Sequence, residues 1–308
     1  MHVNLFLIGA MKSATSTLHD LLSSIPSVQA ASRKELYYFS KQAEWSKGDD
    51  YYHSLFPQRD HGAKYLLDSS VSYLVSEDAL KRIRDYRDKY GPVKIIVCLR
   101  SPIPRAISAI QYCSSLLNVE SRTPDEILAP LIEADTPDDM IAIERGALRG
   151  YRERNLIRYV HGESDCLTHP FAYLSSSMYT FWLEKWLEAF GGERIHVCLF
   201  DEVQSVTPSF KRRLFEFLEI DVCATQFLTP NHLRPTLTYK SRTVGGLAKM
   251  ARPVMRRAPK SIRFRLQNNV LRALKEKPRL EFDQAHLDIL EGMFVNEHNL
   301  IERIRADG

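Results

Sequence analysis

The chain has 308 residues, 44% of them apolar and 26% charged, a balance that supports a packed core and excludes wholesale disorder. Net charge is only +4, yet residues 240–277 hold twelve Lys or Arg against one acid, Glu276, a local +11 that leaves −7 for the rest. The longest uncharged run, Cys166–Leu183, contains His169, Pro170 and three serines, so it lacks the roughly 20 apolar residues of a membrane-spanning helix.

The opening MHVNLFLIGAM has neither a basic n-region nor a small-residue cleavage site, so no secretion signal is expected and the fold is expected to begin at once. Val3–Ile8 is the first predicted strand, followed by a Gly-initiated loop and a helix from about Thr15. Tyr65–Asp68, Val93–Leu99 and Ile195–Phe200 are further strands. Helices are predicted at 76–89, 103–116, 176–190, 207–218 and, as one last element, about 283–305. Short, continuously apolar strands separated by helices indicate a three-layer α/β fold with a central parallel sheet. No internal repeat or low-complexity linker divides the chain, so 1–308 reads as a single domain with the basic 240–277 stretch as an extension. The cysteines Cys98, Cys113, Cys166, Cys198 and Cys223 are scattered and form no Cys-x-x-Cys pair, which suits a reduced, cytoplasmic protein without structural disulfides or a metal site.

After the first strand comes Gly9-Ala-Met-Lys-Ser-Ala-Thr-Ser-Thr-Leu18. Lys12 and the hydroxyls of Ser13, Thr15, Ser16 and Thr17 stand where a helix amino terminus presents its free N–H groups, the arrangement of an anion-binding loop. One hydroxyl would suffice to cap the helix. The Walker pattern Gly-x-x-x-x-Gly-Lys-Ser/Thr is absent, which weakens an ordinary ATPase or GTPase. A second candidate site follows Val93–Leu99, in Arg100-Ser-Pro-Ile-Pro-Arg-Ala-Ile-Ser108. Arg100 ends a buried strand, where open α/β sheets bind ligands, and Ser108 lies in the helix started by Pro102 and Pro104. Two phosphate sites at one sheet edge suggest a ligand with two phosphate-like groups. The basic 240–277 segment likewise suggests an anionic partner: nucleotide, acidic glycan, lipid headgroup or nucleic acid.

GAMKSATSTL resembles the 5′-phosphosulfate loop of sulfotransferases, usually Lys-Ser-Gly-Thr-Thr-x-Leu, and RSPIPRAIS resembles their 3′-phosphate signature, Arg-x-Pro-x-x-Arg-x-x-Ser. The resemblance is strong over 1–110, weaker to about 220, and beyond that limited to the final helix. It implies 3′-phosphoadenosine 5′-phosphosulfate (PAPS) as donor, adenosine 3′,5′-bisphosphate (PAP) as product, and no metal. Ala14 stands where the family has the loop glycine, so position 14 is expected to avoid positive φ. Ser16 replaces the second threonine and keeps a hydroxyl.

Arg33-Lys-Glu-Leu-Tyr-Tyr-Phe39 and the aromatic stretch Trp45–Pro57 resemble the branch containing heparan sulfate N- and 3-O-sulfotransferases and bacterial relatives, in which a Glu-x-x-aromatic-Phe segment carries the catalytic carboxylate. The resemblance implies Glu35 as general base, Lys12 stabilising charge on the transferred group, and Arg100 with Ser108 at the 3′-phosphate. Asp68-Ser-Ser-Val-Ser-Tyr73 resembles that branch's Glu-Lys-Thr-Pro-x-Tyr, with Ser69 in place of the lysine, which speaks against a heparan-like acceptor. Tyr179, Leu183 and Trp186 match a Tyr-x-x-x-Leu-x-x-Trp helix, a spacing that also suits core packing. Tyr239-Lys-Ser-Arg242 lies where the family closes a basic loop over the nucleotide, implying Lys240 and Arg242 as donor contacts.

The acceptor implied is a carbohydrate, glycolipid or small metabolite. Tyr37, Tyr38, Trp45, Tyr51 and Tyr52 are either core or a platform for a sugar ring. Residues 240–277 mix basic and apolar positions at helical intervals, as a lid, a solvated helix pair or a contact with an anionic membrane would. Two rival readings stay open: a nucleotide kinase using Asp68 or Asp201 for Mg²⁺, and a nucleic-acid-binding protein using 240–277.

Overall fold

The computed structural model describes residues 2–57, 62–117, 120–153, 171–221, 238–239, 275–276 and 281–306. Lys240, Arg242 and nearly all of the basic segment at 240–277 lie outside them. So does His169–Pro170 of the uncharged run.

Five strands form one parallel sheet: β1 (Leu5–Gly9), β2 (Val28–Ala30), β3 (Tyr65–Ser69), β4 (Lys94–Leu99) and β5 (Ile195–Leu199), in the order β2-β3-β1-β4-β5. All side chains of β1 and β3 are buried, because helices cover both faces. Alternation along each strand sends residues to opposite layers. Phe6, Ile8, Leu66, Ile95, Val97 and Leu99 pack with Ile83 and Tyr86 of α4 (Glu77–Tyr90) and Trp182 and Trp186 of α8 (Tyr179–Phe190). Leu5, Leu7, Leu67, Ile96 and Cys98 face Leu18, Leu21 and Leu22 of α1 (Thr15–Ser23) and Phe210, Leu214 and Phe215 of α10 (Pro208–Leu218). The expected three-layer α/β architecture is therefore present.

A third cluster lies beside the sheet. It joins α5 (Pro102–Gln111), the π-helical turn Tyr112–Leu117, α6 (Pro124–Ile132) and α7 (Pro137–Glu153) with Phe171, Tyr173 and Leu174. Two short helices, α2 (Gln42–Trp45) and α3 (Gly48–Ser54), precede β3, and α9 (Phe200–Ser205) follows β5. The final helix expected at 283–305 is two helices, α11 (Gln284–Met293) and α12 (Val295–Ala306), interrupted at Phe294. The break has a packing cause: Leu290 and Phe294 serve the third cluster, whereas Ile301 serves the core beside the sheet. Thr238–Tyr239 and Lys275–Glu276 pair as a separate antiparallel two-stranded ribbon, β6 and β7.

Chain order reverses at β1, which lies between β3 and β4, and such a switch point opens a crevice at the carboxyl ends of the strands. Loop 10–14, residues 70–74 and Arg100 all leave the sheet there. Ser70 N donates to Leu7 O at 3.1 Å and Leu74 N to Ile8 O at 2.9 Å, stitching the turn after β3 to β1. Gly9 lies at this seam, where a Cβ would stand 2.8 Å from Leu74 Cβ. Ala14, at the amino end of α1, has φ 59° and ψ 18°, left-handed backbone. This corrects the expectation that the alanine avoids positive φ: the turn into α1 keeps the conformation a glycine would adopt without strain, and the Cβ is accommodated at about 1–2 kcal/mol.

The two positions give opposite predictions. Gly9→Ala forces residues 71–74 away from β1 and lowers unfolding free energy by about 1–3 kcal/mol in denaturant titration. Ala14→Gly relieves the left-handed turn and raises it by up to about 1 kcal/mol.

Candidate active site

The anion loop gathers donors at the amino end of α1. No side chain caps the first turn of α1, so its N–H groups and the positive end of its dipole face outward. Ser13 is fully buried beside Tyr179, and its Oγ has no hydrogen bond of ordinary geometry. Thr15 is buried, Ser16 exposed and Thr17 half-buried. Lys12 lies over the Tyr112 ring, Nζ 4.6 Å from its centroid. Burial first, and then the charge of Arg100, lower its pKa to about 8, which leaves it mostly protonated at neutral pH.

Arg100 leaves β4 toward the same loop. Its Nη1 donates to Lys12 O at 3.3 Å, and its guanidinium stacks 4.4 Å from the Phe200 centroid. The Tyr179 hydroxyl donates to Arg100 O at 2.8 Å, fixing the strand end from below. Two cations thus converge on the crevice beside a buried, underemployed hydroxyl, a donor set that fits a polyanion. The second arginine of the motif, Arg105, is buried and structural: its Nε donates to Ser177 Oγ at 2.6 Å and its Nη2 to Tyr173 O, tying α5 to residues 173–177. Ser108 is half-buried six residues after Pro102. Among the described residues neither Thr17 nor Ser108 makes a side-chain contact that ties it to this cluster.

Glu35 lies across the crevice. Its N–H donates to Ser69 O at 2.9 Å, and its Oε2 accepts from Val71 N at 3.1 Å. Its side chain is 25% exposed, with Oε1 3.6 Å from Lys34 Nζ. Burial raises its pKa to about 7, Lys34 and the Val71 N–H pull it down, and Asp68 adds to the rise. A carboxyl titrating there is matched to general-base work near neutrality. Lys34 Nζ also donates to Ser16 Oγ at 3.0 Å and Thr15 Oγ1 at 3.3 Å, linking base and anion loop.

Below Glu35, the fully buried Asp68 accepts from Tyr73 at 2.8 Å, Ser70 at 2.8 Å and Tyr52 at 3.0 Å. Ser70 Oγ in turn accepts from Leu36 N at 3.0 Å and Tyr37 N at 3.3 Å. Asp68 is therefore occupied in shaping the base segment, and Asp201 is paired with Arg305 at 3.1 Å.

The sequence singled out neither Lys34 nor His19 as a site residue. His19 Nδ1 lies 2.8 Å from Ser69 Oγ, and its spacing of four from Thr15 places both on one face of α1, a signal present in the sequence. The aromatics divide. Tyr38 and Tyr52 are buried and stacked at 4.3 Å, so they are core, while Trp45 and Tyr51 pack partly buried against it. Tyr37 is half-buried, its ring covered by Lys41 Nζ at 3.8 Å. Leu183 and Trp186 are core as well.

No family model matches the chain. In sequence it is similar to the membrane-associated sulfotransferase kil1 of Dictyostelium discoideum, 23% identical over 71% of this chain and 56% of that protein. It is also similar to heparan sulfate glucosamine 3-O-sulfotransferase 5 of Mus musculus and Homo sapiens, 23% and 24% identical over 62% of this chain and 46% of each. The chain spans about half the length of these curated relatives. In fold it is similar to the crystal structure of a sulfotransferase from Alicyclobacillus acidocaldarius, with a TM-score of 0.53 and 22% identity over 82% of this chain and 92% of that one. No helix among the described residues is long and apolar enough to cross a membrane. The chain is thus similar in sequence to sulfotransferases, heparan sulfate-type ones among them, and shares its fold with a solved sulfotransferase.

Proposed function

We propose that the protein is a PAPS-dependent sulfotransferase that moves a sulfuryl group to a hydroxyl or amine of a carbohydrate, glycolipid or small-metabolite acceptor. The observation that carries this reading is the placement of Glu35 opposite the anion loop, its carboxyl raised to about 7 and joined to Thr15 and Ser16 through Lys34. PAPS supplies the activated sulfuryl group and two anionic ends. Lys12, Ser13, Thr15, Ser16 and the uncapped N–H groups of α1 take the 5′ end, and Arg100 with Ser108 the 3′-phosphate. Lys240 and Arg242, outside the described residues, are the further donor contacts that the family resemblance implies.

In the reaction, Glu35 accepts the proton of the acceptor O–H or N–H as that atom bonds to sulfur. The bond between sulfur and the 5′-phosphate oxygen breaks, and PAP leaves with the electron pair. Like phosphoryl transfer, the step asks the protein mainly for positioning and for charges aimed at the equatorial and leaving oxygens. Lys12 supplies that charge from the loop. The scheme requires no metal.

Calorimetry tests the donor. PAP is expected to bind, and Lys12→Ala and Arg100→Ala each to weaken it about tenfold or more, the worth of a charge-assisted contact; unchanged affinity in both refutes the assignment. Glu35→Gln is expected to keep PAP affinity but to cut transfer from isotopically labelled PAPS to acceptors in a cell extract by about 10²–10⁴-fold. Because the base works deprotonated and Lys12 works protonated, the wild-type kcat/KM should rise with pH through about 7 and fall again as Lys12 loses its charge through about 8. A flat wild-type profile removes Glu35 from that role.

A further inference from the structure

Lys34 touches both halves of the site. Its ammonium donates to two hydroxyls on the first turn of α1, Ser16 at 3.0 Å and Thr15 at 3.3 Å, and lies 3.6 Å from Glu35 Oε1. Its side chain is 21% exposed, so these interactions are only partly screened. A hydroxyl that accepts from an ammonium keeps its own hydrogen to give, and is the stronger donor for being polarised. His19, one turn beyond Thr15, is a second basic group nearby, but its ring is bonded to Ser69 and its protonation is opposed by burial and by Lys34 itself. The positive charge between α1 and the base is therefore that of Lys34.

We propose that Lys34 is a positioning residue coupling the anion loop to the base: it directs the Thr15 and Ser16 hydroxyls toward the donor's 5′ end while aiming Glu35 as a carboxylate from the same side. This rests on the donor reading above and adds a residue that neither motif contains. The groups acting on Glu35 are Lys34 on its own segment, the Val71 N–H beyond β3, and Asp68 on β3. One step removed, Lys34 itself acts on His19 of α1, and Arg33 acts on Asp68. Of these, Lys34 is the charge that favours the carboxylate directly.

The test uses the full chain with Lys34→Met, Lys34→Gln and Lys34→Arg. Carbon-13 NMR of labelled glutamate carboxyls, with the Glu35 resonance identified by its loss in Glu35→Gln, reads the base; PAP calorimetry reads the loop. Both neutral variants are expected to move the Glu35 titration to higher pH and to weaken PAP about tenfold, and Lys34→Arg to retain both properties near wild type. Having two neutral variants guards against one that fails to fold, which its circular dichroism would reveal. An unmoved Glu35 titration, PAP affinity within twofold of wild type, or Lys34→Arg as impaired as the neutral variants would each overturn the coupling. A wild type that does not bind PAP defeats the donor reading and this inference with it, whereas bound PAP with unchanged neutral variants defeats the role of Lys34 alone.

Discussion

The site depends on one buried carboxylate. Asp68, next to last in β3, lies beneath the crevice with three hydroxyls donating to it, and hydrogen bonds of this kind compensate a charge that burial would otherwise expel. Burial still raises its pKa to about 6, so near neutral pH it remains an acceptor. Through Ser70 it fixes the backbone at Leu36 and Tyr37, and the same turn is stitched to β1 by Leu7 and Ile8. Base and anion loop therefore hang from adjacent strands and share a rigid support. An apolar side chain at 68 would leave Tyr52, Tyr73 and Ser70 without their acceptor.

Strain gathers at the same place. Of the seven non-glycine residues with positive φ among the described residues, Lys12, Ala14, Glu35 and Tyr37 belong to the two facing segments. Each costs about 1–2 kcal/mol relative to ordinary backbone. Such a concentration persists where surrounding contacts over-determine the chain, and here those contacts are the β3 turn and the first turn of α1. The left-handed turn at Glu35 lets its amide donate to Ser69 O while the carboxylate accepts from Val71 N.

What the sequence made legible follows physical range. Apolar runs marked β1, β3, β4 and β5 because both sheet faces are covered. Helix α4 was readable from its periodicity, and α6 also carried a local signature, the capping box of Thr123 and Glu126, that went unread. Strand β2, three residues with one side chain fully buried, had no pattern long enough to see. The break at Phe294 was hidden because it answers to two distant clusters. Within the site, Lys12, Arg100 and Glu35 stood in recognisable motifs. Lys34 lay inside the segment Arg33–Phe39 but drew no role, because adjacent side chains in a regular element diverge. Its approach to Glu35 and to α1 arises from left-handed backbone and from a contact spanning eighteen residues.

The position of β1 also governs when the site comes into being. Leu5 pairs with Leu67 on one side and with Lys94 on the other, so the strand bearing the loop finds no hydrogen-bonded neighbour until chain some sixty to ninety residues downstream exists. Closing such spans costs entropy before any contact repays it, which slows folding of parallel sheets. The crevice therefore has no floor until β3 and β4 have both joined β1.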